Sequence, residues 1–200
     1  MSDKAPSAAL PVIVAITGAS GAVYGVRLLE VLARHRVPTG LIVSSHGWRL
    51  LQTEVAIDDE AALRVATGGD WTSVTLYPDS DRGAAVASGS YRSRGMVVVP
   101  CSMGTVAAIA HGTSRSLVER AADVMLKERR PLILVPREAP LSLVHLRNLT
   151  AATEAGATVL PASPGFYHRP ATVADLVDFV VQRILDQLGL DITIAPRWPG

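Results

Sequence analysis

Short β-branched runs alternate along the chain with longer segments whose apolar residues recur at helical spacing, the pattern of a parallel sheet joined by helical crossovers. Five runs read as strands: Val12–Ile16, Leu41–Ser44, Gly95–Pro100, Leu132–Val135 and Thr158–Leu160. All are nearly continuous in hydrophobicity, as strands covered on both faces should be. A sixth, around Ser73–Tyr77, is weaker. The 3.6-residue spacing predicts helices over Ala22–His35, Trp48–Glu54, Thr105–Ala110, Ser116–Glu128, Leu141–Ala155 and Val173–Leu188. Asp58-Asp59-Glu60 reads as an acidic helix start, and Gly68 to Ser93 as a long connection of the kind that is often functional. The expected fold class is α/β, a mostly parallel sheet flanked by helices. It forms a single domain over 1–200, with residues 1–10 as a flexible lead-in.

Composition narrows the choices. A chain of 200 residues that is 48% hydrophobic and 18% charged can bury one core and is not a disordered tail. The 19 Lys and Arg face 18 Asp and Glu, interspersed, so the clustered positive excess of a nucleic-acid binder is missing. A single cysteine, Cys101, allows no disulfide framework within the chain and no cysteine-rich zinc site, which fits a reducing cytoplasm. The apolar stretch Ala8–Ile16 after Lys4 is not read as a secretory signal, because Asp3 offsets Lys4, Pro11 interrupts the run and a glycine turn follows at Gly18. No stretch approaches the roughly 18 apolar residues of a membrane span.

In an open α/β sheet, ligands bind beyond the carboxyl ends of the strands, so the residues after each strand are the candidates for chemistry. The first strand runs into Thr17-Gly18-Ala19-Ser20-Gly21-Ala22-Val23-Tyr24-Gly25, a small-residue turn opening a helix, where glycine lets backbone approach a phosphate and the helix N-terminus supplies N–H donors. An ordinary strand-to-helix turn would read the same way. The spacing is Gly-x-x-Gly-x-x-x-Gly, and the second strand ends in Ser44-Ser45 where a nicotinamide dinucleotide site would want an acid for the ribose. A mononucleotide fits better. The third ending, Pro100-Cys101-Ser102-Met103-Gly104-Thr105, repeats the motif of small hydroxyl residues before a helix. Cys101 has no base in its motif and reads as a packed small hydrophobe. Pro136-Arg137-Glu138-Ala139-Pro140 sets two charges directly after an apolar strand.

Further features stand apart from these endings. Arg120 and Lys127 lie seven apart and hence on one helix face. Gly165-Phe166-Tyr167-His168-Arg169 concentrates aromatics in a chain that is only 4% aromatic, and Trp198 near the C-terminus needs a surface to pack against. His35, His46, His111, His145 and His168 show no metal-ligand spacing and read as surface or capping histidines. No metal site is expected.

Taken together, GASGAVYG, PCSMGT, ERAADVMLKERRPLILVPREAP, LPASPGFYH and the closing PRW make the chain, from Thr17 to Trp198, resemble the UbiX-type flavin prenyltransferases of the homo-oligomeric flavoprotein superfamily. The resemblance implies a three-layer Rossmann-like fold. It implies that Gly18, Ala19, Ser20, Ser44, Ser102, Met103, Gly104, Thr105 and Arg137 hold FMN. It assigns the donor, dimethylallyl phosphate, to Tyr167, Arg183 and Lys127, with Arg120 and Glu138 close to the phosphate. Ser20, Glu54, Glu138 and Trp198 match the family's catalytic positions. The 60–95 segment matches weakly, and Gly104 stands where relatives commonly carry a lysine or another small residue.

The implied activity joins the dimethylallyl group to N5 and C6 of reduced FMN and delivers prenylated FMN to a UbiD-type decarboxylase. The implied assembly is a homo-oligomer, by resemblance a dodecamer, with no nucleic-acid or membrane partner. The chain has no Asp-Asp-x-x-Asp pair for magnesium, so fixed cations and donors must stabilise the departing phosphate. Two alternatives remain at this point: a flavin-binding carrier or regulatory subunit, and a cysteine-type flavin decarboxylase of the same superfamily. The decarboxylases carry an Asn-rich signature after the third strand and a Met-Asn clamp after the fourth, where this chain has Cys101-Ser102-Met103 and Arg137-Glu138-Ala139.

Overall fold

The computed structural model describes residues 10–196. Its strands are β1 (Val12–Ile16), β2 (Thr39–Val43), β3 (Val74–Pro78), β4 (Gly95–Cys101), β5 (Leu132–Pro136) and β6 (Thr158–Val159). They form one sheet in the order β3-β2-β1-β4-β5-β6, and every pairing is parallel. This is the strand order of doubly wound dinucleotide-binding sheets, in which the topology reverses between β1 and β4 and leaves a crevice there. The helices are α1 (Ala22–Arg34), α2 (Ser45–Val55), α3 (Glu60–Ala66), α4 (Met103–Ala110), α5 (Leu117–Lys127), α6 (Leu143–Glu154) and α7 (Val173–Gln187).

Strand alternation divides the core into two layers. Val12, Val14 and Ile16 face a cluster built with Leu28, Leu29 and Leu32 of α1 and Val180, Val181 and Ile184 of α7. Ile13 and Ala15 face the other side, against Val106 of α4 and Ala121, Val124 and Met125 of α5. All of β1, β2, β4 and β5 is buried, which explains why these strands read as unbroken apolar runs.

The expected helices are present with shifted starts. α2 begins at Ser45 and not Trp48, because Ser44 caps it by accepting the Gly47 N–H at 3.0 Å. α4 begins at Met103 and not Thr105, because Ser102 accepts the Thr105 N–H at 3.2 Å. The seven-residue α3 is too short to show a period, but its start is the acidic cluster, where Asp59 accepts the Ala62 N–H at 2.8 Å. The 68–93 connection holds β3, one 3-10 turn at Ala85–Ala87, and a loop clasped by Arg130, whose guanidinium donates to the carbonyls of Gly89 and Tyr91, both at 2.6 Å. The expected lead-in lies, apart from Leu10, outside the described residues, as does Trp198.

Candidate active site

Thr17 ties the turn after β1 to the end of β4. Its hydroxyl donates to the Pro100 carbonyl at 2.9 Å and accepts the Ser102 N–H at 2.9 Å. The starts of α1 and α4 therefore sit side by side at the β1/β4 reversal. Beside them is a cavity of about 370 Å3 whose wall includes Thr17, Gly18, Ser44, His46, Ser102 and Thr105. Three helix starts, those of α2, α4 and α5, contribute to this wall, so it is rich in hydroxyls and backbone N–H groups.

A second group gathers at the turn of α1. Glu54, from the last turn of α2, accepts the backbone N–H groups of Gly21 at 2.9 Å and Ala22 at 2.8 Å. Burial alone would raise its pKa, but the Ser20 hydroxyl, those two N–H groups and the Arg137 charge together hold it below the usual carboxylate range. Arg137 comes in from the end of β5, its Nε donating to the Ser20 carbonyl at 3.3 Å. Ser20, Glu54 and Arg137 thus converge from β1, α2 and β5. The neighbouring Glu138 is exposed, and among the described residues its carboxylate accepts the Ala139 N–H at 3.1 Å.

The loop after β6 passes the same rim, since the Ala162 N–H donates to the Pro136 carbonyl at 3.0 Å. It delivers Tyr167 to a separate cavity of about 360 Å3 that it lines with Phe179, Arg183 and Pro196. Tyr167 packs edge-on against Phe179, with ring centres 5.6 Å apart. Arg183 is half exposed and pairs with Asp186 at 3.0 Å. The end of the described chain is strapped here by Gln182, which accepts the N–H groups of Ile194 at 2.7 Å and Ala195 at 3.3 Å and donates to the Ile192 carbonyl at 3.0 Å.

Lys127 is not brought to either cavity. α5 starts beside Asp79, just past the carboxyl end of β3, and runs back so that it finishes near Pro131, at the amino ends of β4 and β5. At 1.5 Å per residue Lys127 lies about 15 Å along the helix from its start. There it pairs with Glu128 at 3.3 Å and borders a third cavity with Arg129 and Arg130. Arg120 lies one turn into α5 and pairs with Asp123 at 3.0 Å.

Cys101 is fully buried within the core, and that burial pushes its thiol pKa up, which fits packing and not nucleophilic chemistry. Among the described residues no helix is long and apolar enough to cross a membrane, and no three His, Cys, Asp or Glu side chains are grouped to hold a metal ion. Asp79, Glu119 and His46 belong to the cavity wall without having been read as site residues. Asp79 follows no motif and Glu119 only opens the charged helical motif, so it is tertiary folding that brings them to the β1 turn.

The flavoprotein family model matches residues 2–185. The flavin prenyltransferase UbiX of Alkalihalophilus pseudofirmus is 47% identical over 188 residues, covering 92% of this chain and 94% of that protein. The chain belongs to the UbiX flavin prenyltransferase family. Among solved structures, AnUbiX in complex with FMN and dimethylallyl pyrophosphate superimposes with a TM-score of 0.87 at 42% identity, covering 96% of this chain and 98% of that one. A dodecameric FMN-dependent UbiX-like decarboxylase from Escherichia coli O157:H7 matches with the same score and identity, over 96% of this chain and 100% of that one. Family membership accounts for the Rossmann-like fold.

Proposed function

We propose that this chain is a flavin prenyltransferase that joins the dimethylallyl group of dimethylallyl phosphate to N5 and C6 of reduced FMN. The observation that carries this reading is the convergence of Ser20, Glu54 and Arg137 at the β1/β4 crevice of a UbiX-family chain. The residues present fit FMN. The cavity wall offers hydroxyls and helix-start N–H groups, and the first turn of α4 is unobstructed, a Cβ at Gly104 meeting only Ser102 Oγ, at 3.9 Å. Gly18, Ala19, Ser20, Ser44, Ser102, Met103, Gly104, Thr105 and Arg137 would hold the flavin. Reduced FMN, when bound, supplies the nucleophilic N5 and C6.

The chain's own groups do the rest. Because the Ser20 hydroxyl donates its hydrogen bond to the Glu54 carboxylate, the Ser20 oxygen keeps its lone pairs for a ligand N–H. Arg137 adds a fixed positive charge beside that pair. Tyr167 and Arg183 bind the donor phosphate and stabilise it as it leaves, a role that grows with the charge it acquires. Lys127 and Arg120 join them from neighbouring copies of the chain, since α5 carries Lys127 away from its own crevice. Glu138, exposed at the rim, moves the proton that ring closure releases. Trp198, assigned by resemblance, would shield the developing allyl cation from water. The oligomer is a dodecamer, the compartment is the cytoplasm, and a UbiD-type decarboxylase receives the prenylated FMN.

Anaerobic incubation with reduced FMN and dimethylallyl phosphate, followed by mass spectrometry of the extracted flavin, tests the reading. A flavin heavier by one five-carbon unit is expected. Flavin that binds but emerges unmodified would favour the carrier alternative.

A further inference from the structure

The cavity at Gly18, Ser44, Ser102 and Thr105 has an unbalanced wall. Two carboxylates, Asp79 and Glu119, belong to it. Both are committed to the start of α5. Asp79 accepts the Val118 N–H on its side chain at 3.0 Å and the Leu117 N–H on its carbonyl at 2.8 Å. Glu119 accepts the Thr113 hydroxyl at 2.8 Å and the Arg115 N–H at 2.7 Å. Burial would raise the Glu119 pKa, yet these bonds and the Arg115 guanidinium lower it overall, so the carboxylate is ionised near neutral pH.

Among the described residues no lysine or arginine belongs to the wall, and His46 is the one described member able to bring positive charge. Its position is set by packing. A Cβ built on Gly18 would lie 2.5 Å from His46 Cβ, so the stem of the imidazole rests directly on the turn after β1. The ring is exposed, and its Nδ1 is 3.5 Å from Ser45 Oγ, at the limit of a hydrogen bond. It is not a capping histidine, because Ser44 already caps α2.

With the phosphate of FMN in this cavity, as the flavin placement proposed above has it, we infer that His46 donates an imidazole N–H to it, offsetting the two carboxylates that would otherwise repel a dianion. The inference rests on the FMN placement proposed above. It adds a binding residue that also strengthens the preference for the phosphorylated flavin over the free one.

The test compares dissociation constants for FMN and riboflavin, read from quenching of flavin fluorescence, in the unmodified protein, His46→Ala and His46→Lys. His46→Ala should weaken FMN about tenfold and leave riboflavin unchanged, the size expected for loss of one charge-assisted hydrogen bond. His46→Lys should keep FMN within about twofold of the unmodified protein, because it restores a cation at the same place. An FMN-to-riboflavin preference that is the same with and without His46 would overturn the inference, as would equal weakening of both flavins. Absence of any preference in the unmodified protein would remove the phosphate from this cavity and overturn it too. The transferase reading is judged separately, on the five-carbon product.

Discussion

Glu54 is exposed at the end of α2, yet three donors and the Arg137 charge hold its carboxylate below its ordinary pKa. A carboxylate whose pKa is lowered on folding contributes stability above its unfolded value, and that contribution is lost as pH falls through the folded value. Glu54→Gln should therefore cost roughly 0.5–1 kcal/mol at pH 7, the range of solvent-screened charges at helix starts, and the difference from the unmodified protein should shrink in acid as pH falls through the lowered folded value. Urea unfolding at pH 7 and in acid checks this; a difference that persists undiminished in acid would mean the charge is not what matters. Among the described residues Arg137 makes one hydrogen bond, to Ser20, from an exposed position, so Arg137→Ala should lower retained flavin without lowering the melting temperature. Glu138→Gln should bind FMN normally and slow turnover by ~10²–10⁴-fold, the usual worth of a general acid–base group, read by stopped-flow absorbance. At this scale the sequence was informative about residue types and less so about roles. Ser44 and Ser102 read as ligand donors, and in the structure each is a helix cap, because a hydroxyl before a helix start serves either purpose.

Between elements, the glycines of the first turn show what a motif conceals. Gly21 is needed for its conformation, with φ of 113°, whereas Gly25 is needed for packing, since a Cβ there would lie 2.8 Å from the Val99 carbonyl oxygen. Gly47 is tighter still: its Cβ would collide with the Ile16 carbonyl oxygen. In each of the last two cases the obstacle is strand backbone, which cannot swing aside. Gly25→Ala and Gly47→Ala should each destabilise by about 1–3 kcal/mol in chemical denaturation, the cost of overpacking a close-packed site. From the sequence the glycines of the first turn could be read as making room for phosphate. Gly25 and Gly47 instead set how closely α1 and α2 approach the sheet, a contact with no local signature. Gln182 carries the same lesson. Nothing in a helical run marks it as a buried strap, yet Gln182→Leu would strand two N–H groups and one carbonyl of residues 192–195, and amide hydrogen exchange there should rise sharply with a loss of about 1–3 kcal/mol. The strands were legible because burial on both faces leaves unbroken apolar runs, and the parallel order followed from the alternation with helices.

For the molecule as a whole, a single chain divides the residues proposed for the donor site. Tyr167 and Arg183 share one cavity, while Lys127 stands at the far end of α5. Seven-residue spacing correctly put Arg120 and Lys127 on one face but could not say that the helix runs away from its own crevice. The outer face of α6 is where the parts could meet. Leu143 and Val144 are each 61% exposed and Leu146 is 47% exposed, an apolar stripe suited to a second copy of the chain. If donor sites are built across subunits, two inactive variants can repair one another. Lys127→Ala spoils every site through one contributing chain, and Arg183→Ala through the other. In oligomers co-assembled from equal amounts of the two, a site is intact only where the lysine comes from the Arg183→Ala chain and the arginine from the Lys127→Ala chain. Random assembly makes about a quarter of the sites whole, so prenylation should return to about a quarter of the unmodified rate, while each variant alone stays inactive. Co-expression with two affinity tags isolates the mixed oligomer, and native mass spectrometry confirms its composition before activity is read. Sites contained within one chain would give no recovery at any mixing ratio, and that result would place Lys127 outside the donor site.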